Sequence, residues 1–186
     1  MGKLIYSVIA SLDGYIADSE GNFDWAAPDE EVHAFENELA RNIGTYLFGR
    51  RMYEVMAAWQ TMDVSGEPEV MREYAQLWRA SDKVVFSTTL PATWTEKTTL
   101  ERSFDAAAVR ALVSGSTRDV GIGGPGLAAS AIKAGLVDEF SAVFVPYIAG
   151  GGTQWLPQEF SQKLELVDER RFAGGAVYVC YRPVKD

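Results

Sequence analysis

Short β-rich runs alternate with helical patterns along this chain, and three of the runs stop at turns suited to close approach or hydrogen bonding by a ligand. Thr45-Tyr46-Leu47-Phe48 runs into Gly49-Arg50-Arg51, Asp82-Lys83-Val84-Val85-Phe86 into Ser87-Thr88-Thr89, and Asp119-Val120-Gly121-Ile122 into Gly123-Gly124-Pro125-Gly126. A strand that crosses over through a helix returns parallel, so the pattern dictates a mainly parallel sheet with helices on both faces. In such a sheet the carboxyl ends of the strands share one edge, where ligands of open α/β folds bind.

The remaining segments fit that frame. Lys3 to Ala10 is a short apolar strand, Ser11-Leu12-Asp13-Gly14 a turn, Tyr15-Ile16-Ala17 a return to apolar character and Asp18 to Asn22 a polar loop. Pro28-Asp29-Glu30-Glu31 suits a helix start, because proline tolerates the first turn and carboxylates complement the dipole. Val32, Phe35, Leu39 and Ile43 follow at helical spacing, and Gly44 ends the helix. A second helix carries Met52, Val55 and Met56, and a third runs from Glu67 to Ala80. Trp94 to Leu100 is expected to be a strand, Phe104 to Val113 and Leu127 to Ala134 helices, and Phe140 to Pro146 a strand. Leu164 to Arg171 and Ala176 to Tyr181 close the chain as an antiparallel pair around Gly174-Gly175, at one edge of the sheet. Gly150-Gly151-Gly152 follows a strand directly and reads as a loop, not a linker, so residues 1–186 are expected to form one domain.

Composition excludes several function classes. With a net charge of −9 the chain is a poor partner for nucleic acid or anionic lipid. One cysteine, Cys180, and one histidine, His33, build neither an internal disulfide nor a structural zinc site, so no metal is expected. The apolar stretch from Leu4 to Leu12 lacks a basic leader and a cleavage region, and no run approaches the ~20 residues of a membrane helix. The expected location is the cytoplasm.

Each turn has a functional and a bland reading. Gly123-Gly124-Pro125-Gly126-Leu127 lets backbone approach a pyrophosphate and offers helix N–H groups to it; equally, it is a tight strand-to-helix connection. Its spacing and late position are not those of the Rossmann fingerprint. Arg50 and Arg51 oppose the dipole at a helix start, which a bound phosphate explains, as does pairing with a local acid such as Glu54. Ser87 and Thr88 either meet phosphate or cap a turn. All three turns fall on one sheet edge, and that convergence favours a dinucleotide.

Ser11-Leu12-Asp13-Gly14-Tyr15-Ile16-Ala17, Trp25, Phe48-Gly49-Arg50-Arg51-Met52-Tyr53-Glu54, Gly123-Gly124-Pro125-Gly126-Leu127, Gly135-Leu136-Val137-Asp138-Glu139-Phe140, Pro146 and Gly150-Gly151-Gly152 occur in an order that resembles the dihydrofolate-reductase-like superfamily. Within it, the sequence is most similar to the reductase domain of riboflavin biosynthesis and its stand-alone bacterial relatives. The resemblance implies NADPH as hydride donor and a small heterocycle or sugar-linked pyrimidine as acceptor, as for a 5-amino-6-(5-phosphoribosylamino)uracil reductase. It implies that Gly49, Arg50, Arg51 and Met52 hold the cofactor's phosphates, and that Ser87 and Thr88 lie beside the adenosine. By the same resemblance Gly123, Gly124, Pro125, Gly126 and Leu127 cradle the pyrophosphate, while Ala10 and Ile16 flank the nicotinamide. It suggests a homodimer, placed in the C-terminal part of the sheet because of the apolar Phe140 to Ile148 segment. The His-x-Glu and Pro-Cys-x-x-Cys pattern of the zinc deaminase domain is absent, so that chemistry is excluded.

Further candidates come from position. Asp13 is either a polar group near the reacting ring or a turn-former whose carboxylate caps local N–H groups. Glu30 is either a proton donor or a dipole-stabilising surface acid. Trp25 lines a flat substrate site or fills core. The expected chemistry is direct hydride transfer, which needs no nucleophile. The rival reading is a nucleotide-binding or ligand-sensing module of the same fold without turnover.

Overall fold

The computed structural model describes residues 1–184. Its strands are β1 (Leu4–Ser11), β2 (Tyr15–Ala17), β3 (Ile43–Gly49), β4 (Asp82–Phe86), β5 (Thr98–Glu101), β6 (Asp119–Gly123), β7 (Glu139–Val145), β8 (Thr153–Gln154), β9 (Leu164–Arg171) and β10 (Val177–Pro183). Its helices are α1 (Glu30–Ala40), α2 (Arg50–Met56), α3 (Ala58–Thr61), α4 (Glu69–Ala80), α5 (Ala106–Gly115) and α6 (Pro125–Lys133). No helix among the described residues is long and apolar enough to cross a membrane.

Eight strands form one sheet in the order β5-β4-β3-β6-β1-β7-β10-β9. Every pair from β5 to β7 is parallel, and β10 pairs antiparallel with both β7 and β9. The alternation of apolar residues sends Leu4, Tyr6, Leu47, Val120 and Ile122 to a core under α5 and α6. The opposite face packs Val143, Phe172 and Tyr178 under α1, and Phe48 and Val85 under α2 and α4. The architecture is therefore three-layered, with a mixed, mainly parallel sheet.

Local physics moved several boundaries. Trp94 and Thr95 donate their backbone N–H groups to the Tyr53 hydroxyl at 2.9 and 3.1 Å, so the expected strand from Trp94 shrinks to β5. Helix α1 ends at Ala40, and Ile43 and Gly44 belong to β3. Pro125 opens α6, as its missing N–H allows. Asp105 caps α5 by accepting from Ala107 and Ala108. The segment from Phe140 needs no partner chain to explain its apolarity, because β7 lies inside the sheet between β1 and β10. Exposure falls instead on the edge strand β9.

One element had no counterpart in the sequence pattern. β2 and β8 form a two-stranded antiparallel sheet that ties the loop after β1 to the loop after β7. Gly152 makes it possible: its φ is +122°, and a Cβ there would lie 2.1 Å from the Ala17 carbonyl oxygen.

Candidate active site

The carboxyl ends of β1, β3, β4, β5, β6 and β7 share one edge, and the candidate residues divide there into two ends. At the first, the turns after β3 and β6 pack directly on each other. A Cβ on Gly124 would lie 3.3 Å from Met52 Cβ and 3.8 Å from the Gly49 nitrogen, and one on Gly49 would lie 3.7 Å from Leu127 Cβ. Gly124 has φ +94°, a backbone that few L side chains adopt. The structure thus brings Gly49, Met52, Gly123, Gly124, Pro125, Gly126 and Leu127 together. Gly126 has open space where a Cβ would stand, at the start of the nine-residue α6.

Arg50 and Arg51 begin α2 beside this cradle, both exposed. Arg50 pairs with Glu54 and donates to Thr89 Oγ1 at 2.9 Å. That second bond joins the turn after β3 to the turn after β4. Ser87 Oγ accepts from the backbone N–H groups of Thr89 and Leu90, which is the capping role open to it, and its own O–H stays free to donate. Thr88 is exposed. Phe86, Ser87, Thr88, Arg102, Ser103 and Phe104 line an open cavity of about 410 Å³ at the ends of β4 and β5. Arg102 had no motif to mark it. It fixes the turn by donating to the carbonyl oxygens of Ser87, Leu90 and Pro91.

The second end lies beyond β1 and β7. Ala10 is buried in β1 and Ile16 half-buried in β2. Asp13 accepts from the N–H groups of Ala149 and Gly150 at 3.0 and 2.8 Å, so it ties down the glycine loop 136 and 137 residues away. The Ser11 hydroxyl first, and then those N–H groups, hold its carboxyl down at about 2. A carboxylate so held is ionised near neutrality and donates no proton there. Trp25 stacks on Tyr147 with ring centroids 5.0 Å apart and planes 12° apart. Tyr147 carried no signal in the sequence, because the partner of a stacked ring is set by tertiary packing.

Three acids at the start of α1 have separate fates. Asp29 caps the helix through Val32 N–H, and Glu31 accepts from Ala173 N–H while lying 3.9 Å from Arg170. Glu30 is exposed, with no hydrogen bond or ion pair to the described residues.

An eight-stranded mixed sheet with this strand order, and with the glycine turns after β3 and β6 packed on each other, defines a dihydrofolate-reductase-like fold. Residues 2–178 match the family described as the RibD C-terminal domain, and the chain belongs to that family. It is 26% identical to the uncharacterized protein YyaP of Bacillus subtilis strain 168, over 96% of this chain and 94% of that one. A putative riboflavin biosynthesis protein from Shewanella sp. PV-4 superposes with TM-score 0.77 at 20% identity, covering 98% of this chain and 99% of the other. Dihydrofolate reductase from Enterococcus faecalis, solved with NADP(H), superposes with TM-score 0.66 at 16% identity, covering 98% and 97%.

Proposed function

We propose that this protein is an NADPH-dependent reductase that passes hydride to a C=N or C=O carbon of a small heterocycle, in the manner of the riboflavin-pathway reductases. The observation that carries the reading is the contact of the two glycine turns, with Arg50 and Arg102 on the same side of the edge. The donor set fits a dinucleotide: open backbone at Gly126 for a pyrophosphate, guanidinium groups for phosphate, and a cavity beside Ser87 and Thr88 for the adenosine. Membership of the family and the NADP(H) complex of a similarly folded reductase support it.

Bound there, a reduced nicotinamide would supply a hydride to the acceptor carbon, with a proton to the neighbouring heteroatom from water or an acid. The protein's own share is to hold both partners, align them and exclude solvent. Asp13 acts as a positioning residue by fixing the loop at Ala149 and Gly150. Glu30, exposed and without a hydrogen bond or ion pair to the described residues, is the candidate to relay a proton. The test is to titrate NADPH into the protein, then follow its absorbance near 340 nm with a panel of heterocycles. Binding without oxidation of NADPH by any acceptor would favour the ligand-sensing alternative, and no binding would remove both.

A further inference from the structure

We infer that the acceptor taken at this edge is a flat conjugated ring that carries no phosphate or other anion. The inference deepens the reductase reading and rests on it only in placing the acceptor beyond β1 and β7.

The first support is an aromatic shelf. Trp25 stacks on Tyr147, and Leu12 sits beside them because its N–H donates to the Tyr147 carbonyl oxygen at 2.8 Å. Leu12 and Ile148 are 67% and 68% exposed, so the shelf presents apolar surface to solvent. The Trp25 indole N–H is shielded and has no partner among the described residues. A ring carbonyl or ring nitrogen would satisfy it after a small shift of the side chain.

The second support is charge. No Lys or Arg occurs from Leu4 to Ala40, a stretch with nine acids, and residues 140–158 contain no charged residue at all. These stretches supply β1, β2, the start of α1, the end of β7 and β8. Two cations end β9 at the same edge, on opposite faces of the sheet. Arg170 lies over the Phe35 and Phe172 rings at 5.0 and 5.1 Å and near Glu31. Arg171 pairs with Val177 and so points to the opposite sheet face from Arg170, which pairs with the buried Tyr178. The cofactor end, by contrast, carries Arg50, Arg51 and Arg102. Phosphate is recognised by Arg and Lys, and like charge at a site costs affinity. The edge is thus divided into a phosphate-binding end and an anion-repelling end.

Riboflavin and FMN serve as probes, since both are flat fluorescent rings and differ by one phosphate. Each is titrated into the full chain at low ionic strength, and the loss of flavin fluorescence is followed. Riboflavin is expected to bind at least about tenfold more tightly than FMN, with the gap narrowing at about 0.5 M salt as screening sets in. Trp25→Ala should lose riboflavin binding while circular dichroism shows the fold retained. FMN binding as tightly as riboflavin, a gap indifferent to salt, or no binding of either ring would overturn the inference. NADPH is titrated separately. Its failure to bind while riboflavin is preferred sinks the reductase reading alone, and the reverse result sinks this inference alone.

Discussion

Arg50 and Glu54 lie one turn apart on α2, with Arg50 Nε 2.8 Å from Glu54 Oε1 and both side chains close to half exposed. An exposed i,i+4 pair contributes ~0.5 kcal/mol or less, so Glu54 orients the guanidinium without trapping it. The hydrogen bond to Thr89 aims the same group at the turn after β4. Arg50→Ala is therefore expected to weaken NADPH binding about ten- to a hundredfold, the loss of one charge-assisted contact. NADH, without the 2′-phosphate, should lose less. Glu54→Ala should change NADPH affinity by no more than about threefold. Equilibrium titration of both cofactors checks this. NADPH affinity unchanged in both Arg50→Ala and Arg51→Ala would mean that the arginines are a solvated pair.

The Asp13 tether yields a second prediction. Asp13→Ala removes both acceptors from Ala149 and Gly150, and amide exchange at those two residues should speed up at pH 7 while core strands stay protected. Asp13→Asn keeps one oxygen acceptor and should fall between the two. The native carboxyl is held at about 2, below its ordinary value. The tether is thus complete above the ordinary carboxylate range and is lost as pH falls through about 2. Exchange at Ala149 unaltered by Asp13→Ala would show that the loop is held by β2 and β8 alone.

Much of this could be read from the sequence, and the limit follows sequence separation. Strands β1, β3, β4, β6 and β7 were legible because alternation and terminating turns are local signals. The small sheet of β2 and β8 was not, because three- and two-residue strands have no period and pair across more than a hundred residues. Ile43 continues the spacing of Val32, Phe35 and Leu39, yet pairing with Asp119 draws it into β3. The glycine turns were visible individually, whereas their contact follows only from β3 and β6 being neighbours. Arg102 and Tyr147 escaped because each gains its place from partners outside its own segment, and no motif surrounds it.

Glu36 provides a pH-dependent prediction. It lies on α1 with Oε1 shut off from solvent and without a hydrogen-bond partner among the described residues. Burial pushes its carboxyl up to about 7. An acid whose folded value is raised favours the fold fully below its unfolded value, near 4.5, and that contribution is lost as pH rises through about 7. Glu36→Gln should therefore match the unmodified protein at pH 4. At pH 8 it should exceed it by up to about 3 kcal/mol in denaturant unfolding. A stability difference that stays constant from pH 4 to pH 8 would show that Glu36 does not titrate in this window.

The last prediction concerns the strand β9. All its residues but Leu164 are exposed, and Leu166 and Val167 are 53% and 40% so. An edge strand of eight residues with an unpaired backbone row is a template for another strand unless something covers it. Its sequence is self-complementary, since Asp168 and Glu169 are followed directly by Arg170 and Arg171. Two copies of β9 running antiparallel about Glu169 set Asp168 of one opposite Arg170 of the other, twice by symmetry, and Val167 opposite Arg171, so two attractive pairs outweigh the single Glu169–Glu169 contact at the centre. Opposite charges directly across strands are favourable, and like charges are not. The expected state is a homodimer of about twice the 20.4 kDa chain. Asp168→Arg places like charges across the pair and should shift the protein toward monomer, while Asp168→Arg with Arg170→Asp should restore the dimer. Sedimentation at micromolar concentration reads all three. A monomer for the unmodified chain, or a dimer indifferent to Asp168→Arg, would take β9 out of the interface.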